Sequence, residues 1–164
     1  MTGLQKLFTL LRALSIVLGC LVFLVSIILP FYYLDTFTID GPYRITYWSF
    51  KADSFVFTTR PISQHFLFFN YWLYYALVGQ AMSWILLSMF IFQLLTLILG
   101  VASFFVKNRI ILIAPFFMCL AVLSLMSLSK GLLEGTYQLG YYLVFPSLAL
   151  FLYSFLLNEV TRRR

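Results

Sequence analysis

Charge divides this chain into long apolar runs separated by short polar breaks. Ala13–Leu34 carries no charged residue over 22 positions, and Phe66–Val106 carries none over 41. Two further apolar runs follow, at about 110–128 and 138–157. The run of 41 is ambiguous: as one helix it would extend about 60 Å, twice the roughly 30 Å hydrocarbon core of a bilayer. Two crossings back to back, 66–84 and 88–106, would need a turn, and "MSWILLSM" offers no turn signal. They would also make five crossings and send Lys107, Arg109 and Arg162–Arg164 to the side opposite the N-terminus. With one crossing at about 83–106, Lys6, Arg12, Lys107, Arg109 and Arg162 to Arg164 share one side, seven of eleven basic residues against the single acid Glu159. That is the distribution the positive-inside bias demands, and it makes this side cytoplasmic.

The pattern therefore predicts an all-α membrane protein: a four-transmembrane-helix bundle with crossings at about 10–33, 83–106, 110–128 and 138–157. Both termini are expected in the cytoplasm, and the chain is expected to be a multi-pass protein of the cell membrane. Ala13–Leu34 is longer than a signal-peptide core and is followed by no small-residue cleavage site, so it is read as a retained helix. Arg12 is expected to snorkel to the interface. Phe31, Tyr32 and Tyr33 should form an aromatic belt, with Pro30 in the last turn. The segment 66–82, dense in aromatics at its start, is read as interfacial, with a bend at Gly79 or Ser83.

Residues 35–64 change character. Six charged residues sit there, three acidic and three basic, among β-branched and aromatic residues. Asp40-Gly41-Pro42 and Lys51-Ala52-Asp53-Ser54 are turn signals. Between them, "YRITY" sets Ile45 and Tyr47 on one face and Arg44 and Thr46 on the other. Two or three antiparallel strands are expected, forming a small β-rich extracytoplasmic cap between helices 1 and 2.

Composition agrees with a membrane class: 63% of residues are hydrophobic, 10% are charged and the mean hydropathy is +0.99, where a soluble domain has about a quarter charged residues. The net charge of +6 lies at segment ends, so nucleic acid is not an expected partner; the lipid bilayer is. Cys20 and Cys119 both lie within apolar runs and are read as buried small residues.

No catalytic residue, cofactor ligand or metal ligand stands out. Ion-coupled carriers keep ionisable groups inside the membrane, and the central parts of the proposed helices hold none. Gln80, Gln93, Ser83, Ser88, Thr96, Ser103, Ser124 and Ser127 are read as hydrogen-bonding between helices, with a conduction path as the other reading. Small-xxx-small pairs at Ser15 and Gly19, Gly79 and Ser83, and Thr136 and Gly140 are candidates for helix packing. Arg44, Trp48, Lys51, Arg60 and His65 form the candidate partner-binding set, since Trp and Arg are enriched at binding hot spots; a folded cap in which Trp48 packs on helix ends is the alternative.

The order of elements resembles the claudin and peripheral-myelin-protein superfamily. Trp48 in "TYWSF" and Arg60 ahead of helix 2 carry what residue-level likeness there is; the Gly-Leu-Trp and paired loop cysteines of that superfamily have no counterpart here. The resemblance implies four helices, a β-rich first extracellular loop and cytoplasmic termini, and adhesion or pore formation is not carried over with it. The function expected is non-enzymatic: an accessory or scaffold subunit of a membrane complex, or a self-assembling tetraspan whose partners are other membrane subunits or itself. The alternative is a small transporter or a lipid- or quinone-binding protein.

Overall fold

The computed structural model describes residues 3–38, 41–47, 51–56, 64–67, 81–106, 108–132 and 135–163. Its elements are α1 (Gly3–Ile28), β1 (Tyr32–Thr38), β2 (Gly41–Tyr47), β3 (Lys51–Val56), β4 (Gln64–Leu67), α2 (Ala81–Phe105), α3 (Arg109–Leu132), β5 (Gly135–Tyr137) and α4 (Leu139–Arg163). The four helices of the described residues are each long and apolar enough to cross a membrane. At 24 to 26 residues each, they run about 36–39 Å, so their ends reach beyond the hydrocarbon core or tilt within it.

The helix bounds depart from the apolar runs in informative ways. α1 starts at Gly3 rather than near residue 10, and stops at Ile28 rather than 33. Leu29 still donates to the Val25 carbonyl at 3.2 Å. Pro30 has no N–H to continue the ladder and restricts the residue before it, so the helix ends there. Tyr32 and Tyr33 consequently enter β1, and Phe31 is fully buried instead of standing in an interfacial belt. α4 continues to Arg163, because arginines in a last turn suit the negative end of the helix dipole. Pro115 and Pro146 sit inside α3 and α4, a placement membrane helices tolerate. Of the segment 66–82, Phe66–Leu67 belong to β4 and Ala81–Met82 to α2; positions 68–80 lie outside the described residues.

The helices pack in a ring. α1 lies most extensively against α4, α2 against α3, α3 against α4, and α1 against α2. Each helix is buried along one stripe: Arg12, Ser15, Ile16, Gly19, Phe23 and Ser26 on α1, and Ile85, Met89, Gln93, Thr96, Gly100 and Ser103 on α2. The interior thus holds many small and polar residues, whereas Leu14, Leu21, Ile98 and Val101 face outward. Lipid solvates leucine as well as a core does, so close approach and polar satisfaction select the inside. At mid-bundle the buried Phe151 ring lies 3.1 Å from where a Cβ on Gly19 would stand and 3.3 Å from one on Gly100, while Cys20 Sγ would meet the Gly100 Cβ at 2.7 Å. Two glycines therefore let α1 and α2 close on one aromatic ring of α4.

The strands form a sheet of order β4-β3-β2-β1-β5, antiparallel throughout. β1 follows α1 and β5 joins α3 to α4, so the sheet lies at the end of the bundle opposite the termini. The β1–β5 ladder runs on into the helix ends: Gln138 N donates to Phe31 O and Gly140 N to Pro30 O, both at 2.9 Å. Tyr137 of β5 stacks on Tyr141 of α4 with ring centroids 3.9 Å apart.

Candidate functional site

Strand register sorts the sheet into two faces, since residues paired across a ladder share a face and neighbours along a strand do not. Asp35 pairs with Arg44, Asp53 with His65, and Lys51 with Leu67, while Thr46 pairs with Asp53. Every charged position of the described strands therefore falls on one face, with His65. The other face carries Leu34, Ile45, Val56 and Tyr137. Tyr137 packs against the buried core of the bundle, so at this edge the uncharged face turns toward the helices. Thr136, on the charged face, is exposed.

Of the candidate partner-binding residues, Arg44, Lys51 and His65 thus occupy adjacent strands β2, β3 and β4 on one face; Trp48 and Arg60 lie outside the described residues. Of the packing candidates, Ser15 and Gly19 are both buried on α1, and the Ser15 hydroxyl donates to Leu11 O at 2.8 Å. Thr136 and Gly140 do not share a helix: one is in β5 and the other opens α4. Ser83 lies in α2, and Gly79 is outside the described residues.

Two of the hydroxyls expected to bridge helices do so, Thr96 with Cys119 of α3 and Ser127 with Tyr141 of α4, and several also bond back. Thr96 donates to Phe92 O, Ser103 to Gly100 O, Ser124 to Leu120 O and Ser127 to Leu123 O, each within its own helix. Gln93, at the midpoint of α2, is fully buried, and neither its Nε2 nor its Oε1 has a hydrogen-bond partner among the described residues. Cys119 is buried and Cys20 half-buried, both free. Among the described residues no three His, Cys, Asp or Glu side chains cluster as metal ligands would.

At the terminus end a cavity of about 700 Å³ lies between the start of α1, the α2–α3 connection and the end of α4. Arg12, Arg109 and Arg162 contribute to its lining. Arg12 does not snorkel; it is 8% exposed and its Nη1 donates to Asn158 Oδ1 at 3.2 Å, while its Nε–H has no partner among the described residues. Arg109 instead grips Glu159 with both Nε and Nη2, the first at 2.7 Å. Asn108 caps α3, its Oδ1 accepting from Ile110 N at 2.9 Å. Residue-by-residue reading missed this cluster. Its available signal was Asn108 between Lys107 and Arg109, and Asn158 and Glu159 four and three positions before Arg162.

No known protein-family model matches the chain, and no curated protein is significantly similar to it.

Proposed function

We propose that this chain is a non-enzymatic four-helix membrane protein that acts by association, as an accessory or scaffold subunit or as a self-assembling tetraspan. In this reading the sheet is an extracytoplasmic cap on the bundle, as in the claudin-like layout, and both termini lie in the cytoplasm of a cell membrane. One observation carries it: all charged strand positions share the face opposite the one on which Tyr137 meets the helices. This register sets Arg44, Lys51 and His65 at positions on one face with Asp35 and Asp53, a mixed-charge set suited to a partner other than the bundle.

The test is a native gel, with lysine- and carboxylate-directed crosslinking, on protein extracted gently from its own membrane. Wild type should migrate as a defined higher species. Charge reversal by Arg44→Glu with Lys51→Glu should dissolve that species while leaving helix content intact. Migration of wild type as a lone monomer, with no crosslinked product, would end the proposal.

A further inference from the structure

The cavity among the helix ends has an unusual inventory of hydrogen-bonding groups. Asn158 spends its carbonyl oxygen on Arg12, and Asn108 spends its own on the Ile110 N–H; what each amide has left is its NH₂. Thr9 and Thr161 direct their hydroxyl protons to the carbonyls of Gln5 and Leu157 at 2.9 and 2.8 Å, so these two oxygens stay as acceptors, outnumbered by the amide and guanidinium N–H groups. The Glu159 carboxylate is held by Arg109 in two bonds. The remaining groups are mainly donors, and two guanidiniums, Arg12 and Arg162, are left without a carboxylate partner among the bonds and ion pairs of the described residues.

Arg12 makes the arrangement hard to explain as packing alone. It is more than nine-tenths buried, its acceptor is a neutral amide oxygen, and its Nε–H is satisfied by no group among the described residues. A guanidinium withdrawn from water is costly unless an anion compensates it, and carboxylate or phosphate oxygens are its best-matched partners.

We infer that this cavity binds a phosphoryl oxyanion whose charge is not already neutralised by a cation of its own, with Arg12 as the buried anchor, Arg162 as the second cation and the Asn108 and Asn158 amides as further donors. The position favours a phospholipid headgroup as its source. Phe8 and Ile110 join the lining, and Leu4, Leu7 and Ile110 are exposed on the adjoining surface, so acyl chains have an apolar path along α1 and α3. Basic pockets between helix ends are the kind of site that recognises anionic headgroups. The inference is independent of the sheet and of which side of the membrane the termini occupy.

Native mass spectrometry of the full chain in detergent tests it, with phosphatidylglycerol and phosphatidylcholine of matched acyl chains as probes and inorganic phosphate as a third arm. Phosphatidylglycerol should be retained over phosphatidylcholine. Removing one arginine by Arg12→Gln or Arg162→Gln should each weaken that retention by about fivefold, the factor for one cation near a headgroup. Arg162 is exposed at a helix end, so its variant remains informative if Arg12→Gln does not fold. Lys6→Gln removes an exposed α1 cation that does not line the cavity and should change nothing. Stabilisation by inorganic phosphate that depends on Arg12 or Arg162, without headgroup preference, would keep the site and assign it to the free ion. Equal retention of both lipids with no phosphate response, or equal losses in Lys6→Gln and Arg162→Gln, would overturn it. Oligomeric state is read from the same spectra, so failure here is distinct from failure of the association reading.

Discussion

Among the described glycines, Gly140 is the one at which an added methyl group would meet three backbone oxygens. A Cβ there would stand 2.7 Å from Leu29 O, 2.7 Å from Pro30 O and 2.8 Å from Ser26 O. All three are backbone atoms at the end of α1, so no side-chain rotation relieves the clash. To reach an ordinary 3.4 Å contact the start of α4 must retreat by 3.4 − 2.7 = 0.7 Å. That movement stretches the 2.9 Å bonds from Gly140 N to Pro30 O and from Gln138 N to Phe31 O, which tie β5 and α4 to β1. Overpacking of this kind costs about 1–3 kcal/mol. Each hydrogen bond is worth about 0.5–1.5 kcal/mol net and is weakened rather than lost. Against this, alanine recovers up to about 1 kcal/mol of helix propensity. Gly140→Ala should therefore destabilise by about 1–3 kcal/mol, a fall in Tm of roughly 3–10 °C for a chain of this size. The assay is thermal unfolding in detergent, with Gly3→Ala as control, since nothing lies within 4 Å of a Cβ at Gly3. If Gly140→Ala melts at or above wild type while Gly3→Ala is neutral, the close approach of α1 to α4 is wrong.

Gly100→Ala should also destabilise, because its Cβ meets Cys20 Sγ at 2.7 Å; adding Cys20→Ala should restore much of the loss, and a strictly additive double mutant would refute the contact. Gln93→Leu should raise Tm, since an unpartnered buried amide costs about 1–3 kcal/mol; a lower Tm would mean that Gln93 has a partner in the membrane. Asn108→Ala should cost about 1 kcal/mol through loss of the α3 cap, read by chemical unfolding, and an unchanged midpoint would count against the cap. If the four apolar helices of the described residues each cross the membrane and no other segment does, single cysteines at positions 2 and 164 of a Cys20→Ala, Cys119→Ala chain should label together from one side; opposite labelling would require an odd number of crossings.

Much of this architecture is local and therefore legible in the residue order. A bilayer imposes a length, and at 1.5 Å per residue an apolar run either spans it or does not. Alternation in "YRITY" likewise assigns strand faces because the period of two is a backbone property. Pro30 was legible as a disruptor near the end of α1; its role as acceptor for Gly140, 110 residues on, was not.

What only the tertiary structure decided is which side of each helix is the inside, and what the ends do there. In lipid the outer face is as apolar as any core, so hydrophobic periodicity loses its power to point inward. The stripe of Ser15, Gly19 and Ser26, and that of Gln93, Thr96, Gly100 and Ser103, acquires meaning only when Phe151 arrives from α4 to fill the space that Gly19 and Gly100 leave. Arg12 near the start of an apolar run predicts snorkelling by composition alone. It turns inward because Asn158, 146 positions away, supplies an acceptor at the same depth, and that proximity is a property of the α1–α4 pairing rather than of either segment.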